Sequence, residues 1–148
     1  MIGAVLRCLA GYMLASLAAG IVQVAFVLPP HELIGASADR LTAAGIWLLL
    51  ATLHSGIFGA PLALVALALA EWRCFRGPIY YMAAGFGMAM LGFLAQISGH
   101  TFEQPTMVLL YVLTVFTVAG ISAGLVYWLV AGRKAGSRGL RLASSTSR

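Results

Sequence analysis

Apolar residues in this chain come in long stretches separated by a few clusters of charge. Uncharged sequence occupies residues 8–31, 41–70, 77–102 and 104–132. A helix needs ~20 residues to cross a hydrocarbon core about 30 Å thick, and every stretch exceeds that. The pattern predicts four transmembrane helices near residues 8–28, 45–69, 79–98 and 106–130. Helix breakers fall at these limits: Pro29-Pro30 after the first, Gly77-Pro78 before the third and Pro105 before the fourth. Barrel strands are excluded, because the stretches do not alternate and are too long. Backbone polar groups in lipid must bond within their own segment, which leaves the helix. The expected fold is all-α, an integral membrane four-helix bundle with short loops over residues 1–130. A flexible basic tail over 131–148 follows, with no internal repeat or second domain.

Composition removes the other classes. The chain is 61% hydrophobic and 9% charged, with mean hydropathy +0.97. Soluble domains run near 45–50% apolar and about a quarter charged. Disordered chains are poor in apolar residues and rich in charge.

Charge also predicts an orientation. Arg7, Arg73, Arg76, Arg133, Lys134, Arg138, Arg141 and Arg148 fall on one side, while Arg40 lies on the other with Glu32, Asp39 and Glu103. Cytoplasmic segments carry the Lys/Arg excess, so both termini are expected in the cytoplasm. Trp72, Tyr80, Tyr81, Tyr127 and Trp128 mark the inner boundary and Trp47 the outer one. Arg outnumbers Lys eight to one and Asn is absent, which points to a GC-rich bacterial genome and hence to the bacterial inner (plasma) membrane. Apolar sequence runs to Leu28, past the 7–15-residue core of a signal peptide, so the first helix is expected to stay uncleaved. Residue two is Ile2, which rules out myristoylation there.

Helices in lipid associate through close backbone approach and polar contacts. Each predicted helix has a face for this: Gly11, Ala15 and Ala18 in the first, and Ser55, Gly56, Gly59 and Ala60 in the second. The third offers Gly85, Gly87, Ala89 and Gly92, and the fourth a GxxxG at Gly120 and Gly124, extended by Thr117. These faces predict a tight bundle, with a homodimer through GxxxG as the alternative.

Polar groups inside a span are the first candidates for function. His54 lies seven residues beyond Trp47, about 10 Å deep. Gln23 lies five residues from the outer end of the first helix, Gln96 near the outer end of the third, and Thr114 eight residues into the fourth with Thr117 a turn deeper, so the expectation is an intramembrane polar cluster in the outer half, with a small cavity opening outward. Hydrogen bonding between helices is the plainest role. Other roles are binding of a quinone or similar small molecule, with His54 and a Gln as donors, and haem ligation by His54. Bis-histidine haem needs a second imidazole at the same depth, and His31 and His100 lie at the outer boundary. Pro61, two turns beyond His54, removes the bond to the Ile57 carbonyl and is a candidate hinge.

Other chemistry has weaker support. His31, Glu32, Asp39, His100 and Glu103 gather on the outer side but lack metal-ligand spacing, so no metal site is expected. Cys8 and Cys74 lie at the reducing cytoplasmic boundary without a CxxC pair. No phosphate-binding loop, HExxH or intramembrane carboxylate occurs, and no basic-aromatic face suited to nucleic acid. The five basic residues of the tail suit anionic lipid headgroups at ~1 kcal/mol each, besides setting topology. The leading expectation is a non-enzymatic accessory or assembly subunit acting through helix contacts with a larger membrane complex. A small-molecule or cofactor-binding protein is the first alternative, and a minimal transporter or channel the second.

Overall fold

A computed structural model describes residues 2–73, 77–98 and 106–134, and every regular element among them is helical. The order is α1 (Ile2–Val27), a single turn α2 (Pro30–Leu33), α3 (Ala38–Arg73), α4 (Pro78–Ser98), α5 (Thr106–Val130) and a 3-10 turn at Gly132–Lys134. Four of these helices, α1, α3, α4 and α5, are long and apolar enough to cross a membrane.

Local chemistry sets the ends. Pro29, extended at φ −58° and ψ 138°, stops α1, and Pro30 opens α2 at the position where a missing N–H costs nothing. Gly35, at φ +80°, turns the chain towards α3. The Leu41 amide donates to the Ser37 carbonyl at 3.1 Å, and Asp39 sits at the positive end of the α3 dipole. Two helices outrun their expected spans. α1 begins at Ile2 rather than residue 8, and α3 covers Ala38–Arg73 rather than 45–69. Charge marks where an apolar run ends, but the backbone ladder continues beyond it. Thr42 Oγ1 donates to the Ala38 carbonyl at 2.9 Å, and the exposed Asp39 and Arg40 stand in the first turn. α3 is about 54 Å long, well beyond a bilayer core. The exposed Trp47 and Trp72 lie 25 residues apart on it, about 38 Å, the spacing of two interfacial belts.

The helices pack as an open ring. α5 lies between α4 and α1, α3 lies on the other side of α1, and α3 scarcely meets α4. Glycines permit each close approach. Gly85 of α4 fits against the Gly120 carbonyl of α5, and Gly124 against the Tyr81 carbonyl of α4, with no room for a Cβ at either. The GxxxG of α5 is thus engaged within the chain. Gly11 meets α5, where an added Cβ would lie 3.0 Å from Ala131 Cβ, and Gly20 abuts Thr52 of α3. Ala15 is buried in the core with Ala70, Tyr81, Tyr127 and Ala131. This core occupies the end where α1 and α4 begin and α3 and α5 finish, the basic end that carries Arg7, Arg73 and Arg133. The Tyr80 hydroxyl donates to the Ala66 carbonyl at 2.7 Å and ties α4 to α3 there. At the opposite end, the Tyr111 hydroxyl donates to the Phe26 carbonyl at 2.5 Å and joins α5 to α1, and among the described residues no hydrogen bond ties α3 to α4 there.

Candidate functional site

The unfilled seam leaves a cavity of about 420 Å³ inside the ring, lined by all four long helices. Its floor at the basic end includes Tyr81 and Tyr127, whose rings stand 5.6 Å apart. Its walls are mainly Ala, Gly, Leu, Met and Phe side chains, because the residues that let helices approach also leave space where they do not touch. His54 and Phe58 on α3 and Leu91 and Ala95 on α4 line the cavity and are also exposed, so they form the two lips of a side opening.

Apart from the tyrosines of the floor, polar side chains come from α1 and α3. α1 contributes Tyr12, Ser16 and Gln23, and α3 contributes His54 and Ser55. The Gln23 amide donates to Ser55 Oγ at 3.1 Å. The Tyr12 hydroxyl donates to the Gly56 carbonyl, beside Gly59, whose added Cβ would lie 3.5 Å from that oxygen. The His54 ring lies 4.5 Å from that of Phe58, one turn along the helix, at an angle of 39°. Among the described residues no Asp, Glu, Lys or Arg lines the cavity.

The expected cluster assembles in part. Gln23 and His54 both reach the cavity, Gln23 bonded to Ser55 and His54 exposed at the mouth rather than enclosed. Thr114 and Thr117 do not line it, and each returns its hydroxyl to its own helix at 2.8 Å, to Leu110 and Leu113. A carbonyl four residues back is open to any helical Thr, so such a residue needs no partner across the bundle. The Gln96 side chain lies outside the described residues, as do His100, Glu103, Cys74, Arg76 and the tail from residue 135. Pro61 is exposed on α3, which continues unbroken through it. Among the described residues no three metal-ligating side chains come together, and Cys8 is a free thiol.

Three site residues carried a signal that composition alone conceals. Tyr12, Ser16 and Gln23 recur at helical spacing, a polar stripe along α1 facing Ser55. Ser55 itself stands beside Gly56 in the small-residue face and looks there like packing. No family model, curated protein or solved structure matches the chain.

Proposed function

We propose that this chain is a multi-pass membrane protein that binds an uncharged, largely apolar small molecule in the cavity between its helices. The ligand enters sideways from the lipid through the α3–α4 seam. The observation that carries this reading is the cavity itself, about 420 Å³, mainly apolar-walled with a few polar side chains. Small-molecule sites run ~300–1,000 Å³, lined by apolar groups with a few placed polar ones. An assembly subunit working only through helix contacts has no use for such a space. Nor does the cavity suit a partner helix. A helix about 10 Å across would fill it with roughly one turn. The arginine bias supports a bacterial inner-membrane location with both termini cytoplasmic, which turns the untied end of the seam outward.

The test is to purify the chain in mild detergent and identify retained small molecules by mass spectrometry, beside Gly92→Leu. Gly92 lines the cavity, and a Cβ there would meet only Phe116 Cε1 at an ordinary 3.7 Å. A leucine therefore grows into the space with little strain. The expected result is one dominant species, lost in the variant. A visible spectrum taken as isolated and after dithionite separates the haem reading, since a reducible band lost in His54→Ala would make the imidazole an axial ligand. A colourless protein that retains nothing and copurifies with a larger complex would return the accessory subunit to first place.

A further inference from the structure

We infer that the ligand belongs to the quinone class: a planar, uncharged ring bearing carbonyl oxygens, carried on an apolar tail. The inference rests on the cavity reading above and identifies the end of the cavity that takes the head.

Hydrogen-bonding capacity points there. Thr114, Thr117 and Ser98 all return their hydroxyl protons to carbonyls on their own helices at 2.8 Å. Ser55 does not. Its oxygen accepts from Gln23, and among the described residues its proton has no acceptor. Gln23 donates one amide hydrogen to Ser55 and keeps a second N–H and its carbonyl. Neither imidazole nitrogen of His54 has a hydrogen-bond partner among the described residues, although the ring lies about 10 Å within the span. Three neighbouring side chains thus offer spare donors at the mouth of a largely apolar space. Leaving such groups unbonded in lipid is costly, so a ligand that accepts from them is favoured.

The same groups select among heads. Among the described residues no Lys or Arg lines the cavity, so a carboxylate or phosphate would lack a fixed counter-charge there, which weighs against fatty acids and phospholipid headgroups. A purely apolar molecule would leave the donors unbonded. An uncharged acceptor satisfies both conditions. Phe58 beside His54 and the glycine and alanine walls suit a flat ring over a branched head. The tail then leaves between His54 and Leu91 into lipid.

Equilibrium dialysis of the chain in phosphatidylcholine nanodiscs tests this with three labelled probes: a benzoquinone bearing one isoprene unit, decylbenzene and lauric acid. The quinone should bind more tightly than the other two. Gln23→Leu with Ser55→Ala should weaken it by about threefold to tenfold, His54→Phe separately by about threefold, and both should leave decylbenzene unchanged, as expected for one or two hydrogen bonds within a membrane. Gly92→Leu should exclude both. A quinone bound no better than decylbenzene, or indifferent to the polar substitutions, overturns the head assignment and leaves the cavity standing. Tighter binding of lauric acid overturns it too. Probes unaffected by Gly92→Leu would instead remove the cavity reading. If the substituted chains do not fold, an azido-quinone photolysed on the unsubstituted chain decides. Label on residues 51–63 and 16–27 supports the site, and label elsewhere refutes it.

Discussion

Within α4, two glycines a single residue apart do different work. A methyl at Gly85 would press on the Gly120 carbonyl, which is backbone and cannot retreat, whereas nothing stands within 4 Å of Gly87. Gly85→Ala should therefore destabilise the bundle by ~1–3 kcal/mol through overpacking. Gly87→Ala should be neutral or stabilise by up to ~1 kcal/mol through helix propensity. Thermal unfolding in detergent, followed by circular dichroism, measures both, and equal effects would contradict the approach of α4 to α5 described above. The spacing of small residues announced these contacts without saying which glycine meets which helix, because a periodic face names a direction and not a neighbour. His54 shows the same limit. Its depth was readable from Trp47, but its position at a lip depends on how α3 is rotated against α1, which follows from Gly20 meeting Thr52. Thr114 and Thr117 are legible as polar, but the sequence does not show that each hydroxyl donates to its own helix.

Between elements, the least supported interface is α3 with α4, and its state sets the size of the opening. The Tyr80 hydroxyl bonds the Ala66 carbonyl near the basic end, while no interhelical hydrogen bond is described between these two helices at the other. Tyr80→Phe removes that tie at a cost of ~0.6–1.7 kcal/mol. Spin labels at the exposed Ile46 and Leu94, in a chain with Cys8 and Cys74 replaced by serine, report the gap at the untied end. Their distance distribution should broaden in Tyr80→Phe. Pro61→Ala restores an amide for the Ile57 carbonyl and stiffens α3, so the same distribution should narrow. A distribution unmoved by both would mean that the seam is held by contacts other than these. Helix number and order were readable from charge and proline positions. The length of α3 was not, because a backbone ladder is indifferent to where lipid ends. The ring order was not either, since four amphiphile-free apolar helices give no pattern that ranks one pairing above another.

For the molecule as a whole, the decisive asymmetry is electrical. Eight of nine basic residues fall in segments on one side of the expected spans, with Arg40 alone on the other, and among the described residues Arg7, Arg73 and Arg133 stand at one end of the bundle. Four helices long and apolar enough to cross a membrane, with this basic bias, support the proposal that the basic end faces the cytoplasm. A green fluorescent protein fused after Arg148 should fluoresce in a bacterial host. Alkaline phosphatase inserted beside Gly35, in the turn between α2 and α3, should be active, as it is only when exported. The reverse pattern would refute the orientation but leave the bundle intact. Its consequence for function would be direct, because His54, Gln23 and Ser55 stand nearer the end that carries Arg40 than the tyrosine floor does. With the basic end inside, the cavity mouth lies in the outer half of the bilayer and draws on molecules dissolved there. Inversion would place the same donors towards the inner leaflet, and the ligand would then be loaded from the cytoplasmic side. The fusion experiment therefore settles which leaflet supplies the cavity before any ligand is known.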